Sequence, residues 1–325
     1  MIRRLGSVIL VGALVLTSGT LVVLALRPEA VPQVPPAAID DGVVAAAGDV
    51  VWRWSGPSDC NPDTDAIQLQ WRVADEDWTG SRIPLGSVSS LHFVDESRGI
   101  ATGTTSRLCS RGIAITEDGG ENWRYRKDNP VLFDAWWVGR RVWGIAQSSG
   151  DLELDIYKVR DRGQLVPVKG AAPTMPCDAR DGAPSQVGFF TAELGLLLCQ
   201  QQITGERLIA RTTSAGESFE RLVDSRPGSG LDGEGEVLAL EVIGEKTAWT
   251  LFSAEGECKE GQLRRSDSQG AIWDRLPCPS ESVGVDLVLD VAFTTQDDGV
   301  LLGVKNGNVA MFATKDGGTT WTPSS

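Results

Sequence analysis

The chain is poor in the side chains that usually carry catalysis. It has one histidine, His92, and two tyrosines, Tyr125 and Tyr157, among 325 residues. A Ser-His-Asp triad would have to be built around that single imidazole, which sits in a strand-like run between Leu91 and Phe93. A strand histidine with a satisfied hydrogen bond is the simpler reading. No Cys-x-x-Cys pair occurs, so zinc ligation is poorly supported. A Gly-x-Ser-x-Gly elbow, a phosphate loop and a metal-binding helix are missing as well. No catalytic residue, metal site or cofactor is therefore assigned. Positive charge is also scarce, with 30 Lys and Arg against 44 Asp and Glu and a net charge of −14. The basic residues form no long run, only isolated pairs such as Arg140-Arg141 and Arg264-Arg265. Such a surface repels phosphates, which argues against a nucleic-acid partner.

Charge disappears altogether from Leu5 to Leu26, a run of 22 residues that is long enough to span a bilayer. A cleaved signal peptide has a shorter apolar core, of roughly 7 to 15 residues, so an uncleaved signal anchor is favoured. Arg3 and Arg4 precede the run and only Arg27 closely follows it, which puts the N-terminus in the cytoplasm. Residues 1–26 are read as a cytoplasmic tip and single-pass transmembrane helix. Residues 27–41 hold four prolines and no apolar periodicity, the composition of an extended linker. Residues 42–325 would then lie outside the cytoplasm, at the cell surface or in the periplasm.

This last segment is organised by a repeat whose clearest copy is Thr314-Lys315-Asp316-Gly317-Gly318-Thr319-Thr320-Trp321. Earlier copies are Thr116 to Trp123, with Asp118 and Gly120, and Ser266 to Trp273, with Gly270. A fourth runs from Thr212 to Phe219, with Gly216. A faded version fits Val159 to Val166, and a shortened one fits Trp71 to Trp78. The starts are separated by 45, 43, 53, 54 and 48 residues, the period of one propeller blade. Glycine supplies positive φ in a tight turn, the carboxylate accepts backbone N–H groups, and the aromatic packs down. Six copies favour six blades, with seven open, in an all-β propeller. Inner-strand runs such as Val88 to Val94 and Val288 to Thr294 follow the same grammar. The stretch Asp49 to Trp54 is expected to supply the outer strand of the last blade and so fasten the ring.

The pattern Ser/Thr-x-Asp-x-Gly-x-Thr-Trp resembles the Asp-box, or BNR, repeat of sialidases, sortilin-type receptors and photosystem II assembly-factor propellers. The inner-strand motif most resembles the last of these. The resemblance implies that the boxes hold the fold at outer turns, away from the binding face. It also implies a choice between two functions. One is a non-catalytic scaffold that binds another protein or a glycan; the alternative is a sialidase-like glycosidase. Ser81-Arg82-Ile83-Pro84 is similar to the arginine motif of sialidases, but here it follows a box instead of preceding the first one. Phe133, Trp136, Trp137 and Trp143 are a candidate aromatic cluster for a binding surface, with core packing as the other reading.

Six cysteines, Cys60, Cys109, Cys177, Cys199, Cys258 and Cys278, all lie beyond the anchor, which suggests three disulfides. Six cysteines allow 15 pairings. Cys258 and Cys278 stand ten residues either side of Ser268, so the strands flanking that box bring them together. Cys60 and Cys109 fall in corresponding loops of adjacent blades, and Cys177 with Cys199 remains by elimination.

Overall fold

The computed structural model describes residues 41–56, 67–73, 76–105, 110–126, 129–148, 151–160, 163–168, 176–177, 183–201, 206–224, 230–232, 235–253 and 256–324. The anchor and residues 27–40 of the linker fall outside them, while Asp41, assigned to the linker, begins the first strand. Among the described residues no helix is long and apolar enough to cross a membrane.

Six four-stranded antiparallel sheets follow one another along the chain. Blade 1 holds β1 (Asp41–Ala47), β2 (Val50–Gly56), β3 (Ile67–Val73) and β4 (Thr79–Ile83). Blade 2 holds β5 (Ser87–Phe93), β6 (Gly99–Thr104), β7 (Arg111–Thr116) and β8 (Arg124–Tyr125). Blade 3 is β9 (Leu132–Val138), β10 (Arg141–Ser148), β11 (Asp151–Arg160) and β12 (Gln164–Pro167). Blade 4 is β13 (Ala183–Phe189), β14 (Gly195–Gln200), β15 (Arg207–Thr212) and β16 (Glu220–Asp224). Blade 5 contains β17 (Val237–Ile243), β18 (Thr247–Phe252), β19 (Gln262–Ser266) and β20 (Asp274–Arg275). The short helix α1 (Pro279–Val283) leads into blade 6, built from β21 (Leu287–Phe293), β22 (Gly299–Lys305), β23 (Asn308–Thr314) and β24 (Thr322–Pro323).

Each blade is a meander, and the first strand of each is innermost. These six strands close a ring: β1 packs against β5 and β21, β9 against β5 and β13, and β17 against β13 and β21. The result is a six-bladed propeller, with the expected number of blades.

One expectation fails. Val50–Gly56 is the second strand of blade 1, paired on both sides by β1 and β3, so it has no free edge to offer blade 6. The last blade makes its own outer strand from Thr322–Pro323, which pairs with Phe312 and Ala313. Among the described residues no strand is shared across the seam between blades 1 and 6. Side chains close it instead, with Val44, Ala292, Leu302 and Met311 buried together. The Val44 N–H donates to Asp290 Oδ2 at 2.8 Å, and Arg72 Nη2 donates to Ser324 Oγ at 2.6 Å.

The blades alternate in sequence and so group in pairs. Blades 1, 3 and 5 carry a tryptophan at the third position of their second strand: Trp52, Trp143 and Trp249. Blades 2, 4 and 6 end their first strand on Phe93, Phe189 and Phe293. Each tryptophan stacks on the phenylalanine of the next blade, with ring centroids 3.5, 4.2 and 3.8 Å apart. Aromatic pairs contribute about 0.5–1.5 kcal/mol beyond the area they bury. The even blades follow their phenylalanine with one recurrent loop, in which the N–H of Val94, Phe190 or Thr294 donates to the carbonyl of Arg98, Leu194 or Asp298. Two blades, not one, are therefore the unit that repeats three times around the ring.

Candidate functional site: the channel mouth opposite the box turns

Every predicted box connects the third strand of a blade to the fourth. In blade 2, the Thr116 hydroxyl donates to Asp118 Oδ1 at 2.9 Å and accepts the Gly120 N–H at 2.9 Å. Asp118 accepts the N–H and side-chain amide of Asn122, both at 2.9 Å. Blade 6 repeats this: Thr314 donates to Asp316 and accepts from Gly318, while Asp316 accepts the N–H and hydroxyl of Thr320. In blades 4 and 5 a serine replaces the aspartate. Ser214 and Ser268 accept the N–H of Ser218 and Ile272, and Thr212 and Ser266 accept the N–H of Gly216 and Gly270. The closing glycine has φ of 93° at Gly120 and 94° at Gly318, a backbone state that a side chain would strain. Trp123, Trp273 and Trp321 are buried behind their turns, and Phe219 packs partly buried against the core.

These turns lie together at one end of the propeller. The N–H groups of Gly119, Ala215, Gln269 and Gly317 donate to the carbonyls of Ser97, Glu193, Lys246 and Asp297, in the loops that follow the innermost strands. Trp52 and Trp249 add indole N–H bonds to the carbonyls of Gly119 and Gly317, at 2.7 and 3.0 Å. These backbone groups of the box face are thus satisfied within it.

The opposite end is different. The middle stretches of the innermost strands surround a cavity of about 190 Å³ lined by Ser90, His92, Asp134, Gln186, Glu241 and Asp290, with the exposed Leu238 at its edge. Asp134 accepts from the Ser90 hydroxyl at 2.6 Å and from the N–H groups of Ala135 and Val187. Asp290 accepts from the N–H groups of Val44 and Val291. Glu241 has no hydrogen-bond partner among the described residues. Burial raises the Asp134 carboxyl above its ordinary range, although its three donors oppose that shift. Burial also raises Glu241, and well above, with the charges of Asp290 and Asp134 adding to the effect.

His92 is stacked on Trp136, with ring centroids 3.9 Å apart, and its Nε2–H donates to the Trp137 carbonyl at 2.9 Å. Burial lowers its pKa to about 4, against the raising effect of that bond, so the ring is neutral and its proton is committed to the backbone. Of the aromatic cluster, Trp137 and Trp143 are core, Phe133 and Trp136 line the cavity, and Trp136 is itself mostly buried. Tyr157 is buried in the third strand of blade 3 and bonded to Asp155; burial, then that carboxylate, pushes its pKa upward. Tyr125 and Arg82 lie on the outermost strands β8 and β4, away from the channel.

Two predicted cysteine pairs are disulfides in the structure: Cys177 with Cys199, Cα atoms 5.6 Å apart, and Cys258 with Cys278, 5.3 Å apart. Cys60 and Cys109 lie outside the described residues. Among the described residues no group of three or more His, Cys, Asp or Glu side chains is placed to hold a metal ion. The channel carboxylates were missed from sequence. Their only signal is a lone acid within an apolar strand, as in Leu132-Phe133-Asp134-Ala135-Trp136 and Leu287-Val288-Leu289-Asp290-Val291.

Neither a protein-family model nor a curated protein matches the chain. Solved structures do. A fucose-specific lectin from Aleuria aurantia superposes with a TM-score of 0.54 at 11% identity, over 89% of this chain and 97% of that one. YCF48 from Cyanidioschyzon merolae gives 0.46 at 16% identity, over 84% and 81%, and YCF48 bound to D1 peptide gives 0.42 at 17%, over 74% and 83%. At these identities the likeness to the lectin speaks to the propeller fold alone.

Proposed function

We propose that the protein is a membrane-anchored, extracytoplasmic β-propeller that acts as a non-catalytic scaffold and binds another protein at the channel mouth. The four box turns are read as Asp-box turns with a fold-holding role. The observation that carries the binding reading is the contrast between the two ends. At one end the box turns and the loops after the innermost strands bond to one another; towards the other the channel holds a cavity lined by acids, where among the described residues the Glu241 carboxyl has no hydrogen-bond partner. A cavity of about 190 Å³ admits a single side chain, not a folded segment. A lysine or arginine from the partner would restore the ionised form of Glu241 by pairing with it.

Two measurements test this reading. A reporter active only outside the cytoplasm, fused after Ser325, should be active, and the full-length chain should fractionate with membranes. Reporter activity confined to the cytoplasm would overturn the orientation. Hydrolysis of a fluorogenic sialoside should be undetectable for both wild type and Arg82→Ala, because Arg82 stands on an outermost strand. Wild-type turnover that vanishes in Arg82→Ala would replace the scaffold with the glycosidase.

A further inference from the structure

The seam between blades 1 and 6 contains a second polar feature. Arg53 on β2 and Arg72 on β3 share one face of blade 1, since Arg53 pairs with Gln70 and Val51 with Arg72. Both guanidiniums lie against the Trp78 ring, with Cζ 3.9 and 4.7 Å from its centroid. Arg53 Nε donates to Gln70 Oε1 at 2.9 Å, and Arg72 Nη2 donates to Ser324 Oγ at 2.6 Å. Arg72 is 6% exposed, and its buried Nε–H has no acceptor among the described residues. Neither arginine meets a carboxylate among the described residues, although acids outnumber bases in the chain by 44 to 30. Arg98, Arg124, Arg211, Arg264 and Arg265 each have one within 4.0 Å.

Two like charges brought together away from water repel each other and lose hydration, a cost that is normally offset by a counter-charge. That repulsion is visible at Arg53, whose pKa is lowered by burial and then by the Arg72 charge. Among the described residues the seam beside them is apolar, made by Val51, Val300, Val309 and Met311. Trp78 meanwhile holds both planar groups, so little side-chain entropy remains to be lost on binding.

We propose that Arg53 and Arg72 form a binding site for one tetrahedral oxyanion, a phosphate or sulfate group, at this seam. Guanidinium forks match such oxygens in bidentate fashion, and two cations favour a dianion over a monoanion. The Ser324 hydroxyl, which accepts from Arg72, has its own hydrogen to donate to the same ion. The bound ion would tie strands β2 and β3 of the first blade to the residue after β24 of the last. It would thereby supply, by charge, the cross-seam fastening that no strand provides.

The test uses the full-length chain in mild detergent at near-neutral pH, titrated calorimetrically with inorganic phosphate, sulfate and acetate at constant ionic strength. Phosphate or sulfate should bind at one site per chain, at least tenfold more tightly than acetate. Arg53→Gln, at the half-buried end of the pair, should weaken that binding tenfold or more. Arg72→Lys keeps the charge but loses the fork and should weaken it as well. Thermal unfolding separates site binding from the general stabilisation that sulfate gives by exclusion from protein surfaces. The wild-type midpoint should rise saturably, and the Arg53→Gln midpoint should not. Absence of saturable binding, acetate binding as tightly as the dianions, or equal binding to wild type and a folded Arg53→Gln would each overturn the proposal.

Discussion

Glu241 and His92 line the same channel and shift stability with pH in opposite directions. The folded-state pKa of Glu241 is raised above its ordinary 4.5, so the native state keeps a proton that the unfolded chain gives up. Stability is then lost as pH rises from about 4.5 towards the folded pKa. Glu241→Gln removes that loss, so its denaturant midpoint should gain on the wild-type midpoint as pH rises above about 4.5. Identical profiles would mean that the carboxyl is better hydrated than its setting implies. His92 runs the other way. Its pKa is lowered from 6.5 to about 4, so the unfolded chain takes a proton first, and stability falls as pH drops through that window. Each unit of separation is worth about 1.4 kcal/mol. In the box turns, Thr314 is 2% exposed and its oxygen accepts the buried N–H of Gly318. Thr314→Val strands that donor and should cost roughly 1–3 kcal/mol in chemical denaturation. Trp321→Ala empties a packed position and should cost roughly 3–5 kcal/mol. A Trp321→Ala protein as stable as wild type would show that the turn does not depend on its aromatic.

At the scale of elements, the repeat was legible because a turn is local. Hydroxyl, carboxylate, glycine and aromatic satisfy one another within eight residues, so their spacing is written in the sequence. The serine-bearing turns at Ser214 and Ser268 were legible for the same reason, since a hydroxyl accepts the N–H that Asp118 and Asp316 accept elsewhere. The hairpin argument also located the Cys258–Cys278 bridge, which spans β19 and β20. Replacing both cysteines with alanine should cost about 2–4 kcal/mol, read as a lower denaturation midpoint. A variant that melts with wild type would mean that the hairpin closes that loop unaided. What the turns did not reveal was the pairing of blades. Trp249 meets Phe293 across 44 residues of sequence, and only the ring brings a second strand against the first strand of the next blade.

At the scale of the molecule, local reasoning ran out at the axis and at the seam. Whether Asp134, Glu241 and Asp290 face a channel depends on six strands from six sheets arriving together, a relation absent from any one of them. The seam was misjudged because the short β24 looked like an unfinished blade, whereas two residues of pairing and the contacts of Met311 and Ser324 suffice to finish it. The central claim is that the partner engages the channel mouth and not the box face. Leu238 and Ile272 are both exposed and apolar, the first at the mouth and the second within a box turn. A photo-crosslinking amino acid placed at each position in turn, in the full-length chain in its own cells, compares the two ends directly. The account predicts a discrete protein adduct from position 238, diminished by Glu241→Gln, and none from position 272. An adduct from position 272 with none from 238 would contradict it.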